Sequence, residues 1–274
     1  MSTATAPDAT VKASFAKGQG KVTQARVINS EWIKLRTLRS TPITLLVAVL
    51  IMVGLNPLIT WANASHGGGH GDAVNGAELS LGLYILAQLA VGVLGVLIVS
   101  GEYSTGMIRA SLSAVPKRLP VLWAKAIVYA VVVLVVMTIA CLGAFYGGQA
   151  ILSHYDRAVT LTDPGVARVV FGTGLYLTFV GLLGIGLGAL IRNAAGAIAV
   201  LVGILWVVPI LAHLLPSSWA PHIVPYLPSN AGSAMLSVVP DPTMMSPWSG
   251  FALFAGYAVA LLAVAGLLLK RRDA

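Results

Sequence analysis

Two histidines separated by three glycines come closest to a metal site in this sequence. His66 and His70 flank the glycines, and Asp72 follows two residues later. Imidazole and carboxylate groups bind transition metals, but two imidazoles on a glycine hinge make an incomplete, poorly positioned ligand set. We therefore predict no metal site. We interpret the segment 63–78 as a solvated loop to which the sequence assigns no role.

A second short motif, Gly18-Gln-Gly-Lys21, superficially resembles a phosphate-binding loop. It lacks the required spacing, and Val22 stands where the metal-binding hydroxyl of such a loop is needed. The apolar stretches also lack the His and Glu clusters, or the Ser with a base, that intramembrane proteolysis or lipid transfer would need. The chain is thus predicted to hold no cofactor and not to be an enzyme by itself.

Six apolar stretches of about twenty residues each dominate the chain and must position any functional side chain. Hydrophobic residues make up 57% of the sequence and charged residues 9%, against roughly 45–50% and 25% in soluble domains. The pattern predicts an all-α membrane protein with one six-span domain at 41–270. The absence of Asp, Glu and Lys at mid-membrane depth disfavours an ion-coupled carrier. The predicted spans are 42–62, 79–100, 121–147, 168–190, 196–214 and 249–269.

Basic residues indicate the orientation of the spans. Of the 17 Lys and Arg residues, only Arg157 and Arg168 fall on the side opposite the chain termini. The positive-inside rule then predicts both termini in the cytoplasm of a multi-pass protein of the inner membrane. Anionic lipid headgroups account for the net charge of +8, so no nucleic-acid partner is implied.

The segment before the first span divides into two parts. Residues 1–23 are typical of a disordered cytoplasmic tail, and residues 24–40 have the period of an amphipathic helix lying on the headgroup layer. Glu31 interrupts the apolar face of this helix, and two interpretations stay open: a pair with Lys34, three residues on, or contact with a protein partner. The predicted apolar face consists of Val27, Ile28, Trp32, Leu35 and Leu38.

The loop after the second span is predicted to contain a short coupling helix at 102–113. Glu102 and Ser104 suit its first turn, and Met107, Ile108 and Leu112 form an apolar ridge beside Arg109. Such a ridge indicates either a docked partner or an amphipathic turn resting on lipid. The basic residues assigned to this loop are Arg109, Lys117, Arg118 and Lys125.

Three further features bear on packing. Asn56-Pro57 predicts a kink in the first span, and Gly184 with Gly188 predicts a close helix contact of the fourth span. The segment 216–247 is predicted to form an ordered cap or re-entrant element, with a short helix after Pro228. A plain surface loop is the alternative.

Two motifs resemble those of bacterial permeases of the type-2 ABC exporter family: Ser30-Glu-Trp-Ile-Lys-Leu-Arg-Thr-Leu-Arg-Ser40 and Gly101-Glu-Tyr-Ser-Thr-Gly-Met-Ile-Arg-Ala-Ser-Leu112. Pro228-Ser-Asn-Ala-Gly232 and the six-span layout are similar as well. The resemblance implies an ABC transporter permease, paired with a second permease copy or paralogue. It also implies two separate ATP-binding subunits that hold ATP and Mg. It places Glu31, Trp32, Lys34, Glu102, Tyr103, Gly106, Arg109 and Leu112 at the ATPase contact.

The polar side chains scattered through the spans suggest a path for an apolar or amphipathic substrate. An ion-coupled carrier or channel acting alone, or a metal-handling protein that uses the outer histidines, are the alternative functions. The substrate-path candidates are Asn56, Tyr84, Gln88, Thr178 and Trp206.

Overall fold

The computed structural model describes residues 23–38, 40–66, 75–104, 106 and 118–271, and every regular element among them is helical. Six helices are long and apolar enough to cross a membrane, which confirms the predicted number. We call them spans one to six: Ser40–Ser65, Tyr84–Ser104, Leu119–Tyr155, Val166–Ile191, Ala194–Ala212 and Pro247–Arg271.

Span two ends later than the sequence predicted. Its helix begins at Tyr84, after a short helix Gly76–Leu79 and a turn, and continues to Ser104. Glu102 and Ser104 therefore lie in the last turn of span two, and their placement in the first turn of a separate coupling helix was wrong. Gly101 stays helical, whereas Gly106 has a φ of +70°, a conformation that commonly ends helices. Most of the predicted coupling helix, residues 107–113, lies outside the described part.

Span one departs from α-helical geometry where Asn56-Pro57 predicted a kink. A π-helical turn, Leu50–Leu55, separates the α-helices Ser40–Val49 and Asn56–His66. Proline has no backbone N–H and its ring clashes with the preceding turn, so the local hydrogen bonding must change. Span five has the same arrangement, because the π-helical turn Gly203–Val207 precedes Pro209.

Span four forms the centre of the bundle, and most of its residues are buried. Its contact with span two is so close that side chains are excluded. A Cβ on Gly184 would overlap the carbonyl oxygen of Gly92, and one on Gly188 would lie 2.8 Å from the carbonyl oxygen of Val96. The close contact predicted from Gly184 and Gly188 is confirmed.

The predicted N-terminal helix is present at Gln24–Thr37, and we call the end of the bundle that carries it the near end. The helix packs on span three. Val27 is buried against Val121 and Ala124, and Gln24 Nε2 donates to the carbonyl oxygen of Pro120 at 3.2 Å. The predicted apolar face is thus divided: Val27 is buried in the protein, and Trp32 stays 44% exposed.

At the opposite, far end, short helices cover spans four and six. The helix predicted after Pro228 is present at Pro228–Ser233, and a 3-10 turn Ala234–Leu236 follows it. Arg168 of span four donates to carbonyl oxygens in this segment, including that of Ser237 at 3.0 Å. Glu78 Oε1 accepts a hydrogen bond of 2.6 Å from the Val238 backbone N–H. These contacts hold the far-end segment to span four and to the short helix Gly76–Leu79 that precedes span two.

Candidate functional site

Four charged side chains form one buried ion cluster at the near end. Lys125 Nζ of span three lies 2.6 Å from Glu31 Oε2 and 2.9 Å from Glu102 Oε1. Lys34 Nζ lies 2.8 Å from Glu31 Oε1 and 3.2 Å from Glu102 Oε1. Each lysine therefore bridges the same two carboxylates. The ion cluster joins the N-terminal helix to spans two and three.

The charges of the ion cluster balance within it. Glu31, Lys125 and Glu102 are 4%, 5% and 8% exposed, and buried charges are tolerated only when paired and hydrogen-bonded. Burial opposes ionisation of Glu31, but the charge of Lys125 and hydrogen bonds from Lys125 and Lys34 outweigh it and lower the pKa of the Glu31 carboxyl. Burial disfavours the charged form of Lys34, yet its bonds to Glu31 and the charge of Glu102 raise the pKa of its ammonium. Both shifts favour the charged forms of Glu31 and Lys34.

The pair of Glu31 with Lys34 was one of the two sequence interpretations, and the structure confirms it. The sequence reasoning missed Lys125, which it placed among the basic residues of the loop. Lys125 lies inside the span three helix and is almost fully buried. The signal was available, because Lys125 is the only charged residue between Val121 and Val128. A lysine inside an apolar helix needs a counterion within the protein.

The other predicted contact residues lie near Glu31 or Glu102 in the sequence or outside the described part. Trp32 is exposed on the N-terminal helix, and Gly106 follows the end of span two. Tyr103 follows Glu102 on span two, and the Arg192 guanidinium carbon is 5.1 Å from its ring centroid. This contact ties span two to the turn between spans four and five. Arg109 and Leu112 lie outside the described residues.

Three of the five substrate-path candidates line one cavity of about 300 Å³ towards the far end: Tyr84, Gln88 and Trp206. Tyr176 forms part of its wall and donates its hydroxyl to Gln88 Oε1 at 2.7 Å. The indole N–H of Trp206 is buried without a hydrogen-bond partner. No charged side chain is found among the residues that line this cavity. We call it the aromatic cavity.

The structure does not bring the two remaining path candidates to the aromatic cavity. Asn56 is completely buried, where its Nδ2 donates to the carbonyl oxygen of Ser80 and its Oδ1 accepts from the Leu83 N–H at 2.9 Å. Asn56 thereby satisfies backbone groups in the turn that precedes span two. Thr178 is also buried, and it donates to the Gly174 carbonyl oxygen of its own helix at 2.8 Å.

The histidine segment contributes little to the described structure. His66 ends the last helix of span one, and His70 and Asp72 lie outside the described residues. Among the residues that are described, no three His, Cys, Asp or Glu side chains are grouped closely enough to hold a metal ion.

Residues 27–209 match the family model described as ABC-2 family transporter protein. The chain belongs to this family. The match includes the N-terminal helix from Val27, spans one to four, most of span five and the whole ion cluster, and it ends before the far-end helices and span six. No curated protein matches the chain closely enough to count as a relative. Membrane subunits of the ABC-2 family work, in general, with ATP-binding subunits.

Proposed function

We propose that this chain is the permease subunit of an ATP-driven ABC exporter and has no ATPase of its own. Membership of the ABC-2 family and the six spans support a permease. The observation that supports coupling to an ATPase is the ion cluster. It fixes the exposed N-terminal helix to spans two and three, so a force applied to this helix reaches both spans.

Two ATP-binding subunits, which hold ATP and Mg, would dock at the near end. The proposed contact consists of the exposed side of the N-terminal helix around Trp32 and the segment 107–113 that follows Gly106. Both acidic residues of the ion cluster serve here to position this contact surface, because their carboxylates are buried in bonds within the chain. A second permease copy or paralogue completes the complex in the inner membrane. The near end and both termini then face the cytoplasm.

Closure of the ATP-binding subunits would displace the N-terminal helix, and the ion cluster would carry this displacement into spans two and three. Spans one and five contain the π-helical turns beside Pro57 and Pro209. Such interruptions are points where a helix can bend. Their bending would convert the inward-open complex to the outward-open one.

The aromatic cavity is the proposed place for the cargo. Its walls carry Tyr84, Tyr176 and Trp206 but no charge, which suits an apolar or amphipathic molecule. The unpartnered Trp206 N–H can only donate, so a cargo that accepts a hydrogen bond is favoured there.

The coupling proposal is tested by Glu102→Arg. This substitution removes one of two acids and places a third cation beside Lys34 and Lys125. We expect loss of transport and weaker co-purification of the ATP-binding subunit, with normal insertion into the membrane. The control is Asp163→Arg, which makes the same charge change in the turn before span four at the far end. It should leave co-purification unchanged. Normal transport and normal co-purification in Glu102→Arg would remove the coupling role of the ion cluster.

A further inference from the structure

A cavity of about 440 Å³ lies at the near end, where the N-terminal helix meets spans one, two and three. Its apolar walls are formed by Leu35 of the helix, Leu38 just after the helix, Leu97 and Ile98 of span two, and Val128 of span three. The ion cluster forms one side. This volume falls within the roughly 300–1,000 Å³ of ordinary small-molecule sites. We call it the near-end cavity.

Two residues that line the near-end cavity each have a buried polar atom without a hydrogen-bond partner. These atoms are Thr41 Oγ1 and Glu102 Oε2, and their residues are 2% and 8% exposed. Both lysines of the ion cluster bond to the other oxygen of Glu102, Oε1. Buried polar atoms in proteins nearly always have a protein or water partner, so two unpartnered atoms at one cavity indicate that a ligand or ordered water occupies it.

The ligand must bring a hydrogen-bond donor but no charge. A carboxylate oxygen can only accept, and the Thr41 hydroxyl can either donate or accept. The ion cluster already balances two carboxylates with two ammonium groups. An added cation would leave an uncompensated positive charge in a poorly hydrated site, and an added anion would lie against Glu102 Oε2.

We propose that the near-end cavity binds an uncharged membrane amphiphile with a hydroxyl headgroup, of the acylglycerol type. One hydroxyl donates to Glu102 Oε2, a second pairs with Thr41 Oγ1, and the acyl chain lies along Leu35, Leu97 and Val128. Leu38, which also lines the cavity, is 41% exposed, so the acyl chain of the lipid can enter from the bilayer. The bound lipid packs against the groups that hold the N-terminal helix, and therefore stabilises the attachment of that helix.

Three probes of equal chain length test this site on the purified full chain without any ATPase, by native mass spectrometry or equilibrium binding. A monoacylglycerol supplies a neutral donor, its dimethyl ether a neutral head without a donor, and an alkylammonium a charged donor. We expect saturable binding of the monoacylglycerol. The dimethyl ether cannot donate a hydrogen bond to the carboxylate, so its affinity should be roughly ten- to hundred-fold lower than that of the monoacylglycerol. The alkylammonium should also bind more weakly than the monoacylglycerol.

Variants of the chain locate the site. Thr41→Val removes a hydroxyl that has no partner in the empty protein, so folding should be unaffected while monoacylglycerol binding falls several-fold. Leu97→Trp should fill the cavity and abolish binding. Leu86→Trp, at an exposed position of the same span outside the cavity, is the matched control and should bind normally.

Four results would each overturn the proposal: equal binding of the ether, tighter binding of the alkylammonium, unchanged binding in both Thr41→Val and Leu97→Trp, or no saturable binding at all. The last result would mean that the cavity holds only water. Because binding is measured on the permease alone, the proposal can fail or succeed independently of the ATP-driven function.

Discussion

Lys125→Met provides the sharpest test of how the N-terminal helix is attached. Methionine keeps the length and apolar stem of the lysine but removes its charge. Lys125 is the most buried cation of the ion cluster, and its bonds to Glu31 and Glu102 measure 2.6 and 2.9 Å. Its loss leaves two buried carboxylates with Lys34 as the remaining cation of the cluster.

The magnitude follows from burial. Removing one partner from a buried ion pair destabilises a protein by about 3–5 kcal/mol, chiefly because the other charge stays buried without compensation. Lys34→Met is the matched control. The Lys34 side chain is 28% exposed, and each carboxylate keeps Lys125, so the loss should be about 1 kcal/mol. The difference between the two lysines is the quantity to be measured.

Amide hydrogen exchange of the helix Gln24–Thr37 in the purified protein reports its local opening. We expect amide exchange to accelerate at least about a hundredfold in Lys125→Met, with the rate of fully unprotected amides as the upper limit. In Lys34→Met it should accelerate less than tenfold. The double variant Lys125→Met with Glu31→Gln restores the charge balance and should recover most of the protection. Equal exchange in the two single variants, or no recovery in the double variant, would refute the electrostatic attachment of the helix.

Three other predictions concern pH and packing. The pKa of Glu31 lies below its ordinary value of 4.5. Its contribution to helix attachment should therefore be complete above pH 4.5 and be lost as the pH falls through the lowered pKa. Amide hydrogen exchange of the N-terminal helix should then become faster in acid. Gly95→Ala should lower the free energy of unfolding by about 1–3 kcal/mol, because the new Cβ would overlap the carbonyl oxygen of Gly181. The control is Gly256→Ala, where a Cβ meets open space, and it should be neutral or slightly stabilising. Asn56→Leu should reduce thermal stability by about 1–3 kcal/mol for each backbone group left without a partner, and an unchanged melting temperature would mean that water replaces the amide.

The sequence was sufficient for the features that depend on local composition. The six spans follow from long apolar stretches, the N-terminal helix from its 3.6-residue period, and the contact of Gly184 with span two from the spacing of small residues. Each of these signals lies within about twenty consecutive positions. The end of span two was predicted too early, at residue 100, because a glycine such as Gly101 commonly follows a helix. The structure has the positive φ at Gly106 instead.

The ion cluster could be predicted only in part, because it joins residues far apart in the chain. Glu31 and Lys34 lie one turn apart, so their pair was within reach of the sequence. The bonds of Lys125 to Glu31 and Glu102 depend on how three helices pack. The aromatic cavity is similar: Tyr84, Gln88 and Trp206 were candidates as isolated polar residues, whereas the structural role of Asn56 became visible only with its contacts to the turn before span two.

The central claim is that a separate ATP-binding subunit moves the near end of this permease. It is tested most directly by the distance between two spin labels, one at Ile43→Cys and one at Ala195→Cys. Both are exposed positions at the near ends of spans one and five. The distance is measured in vesicles with and without the ATP-binding subunit. The native Cys141 is buried and should not be labelled. We predict a change in this distance on adding ATP and Mg only when the ATP-binding subunit is present. An unchanged distance with the subunit and ATP, or the same change without the subunit, would contradict the account.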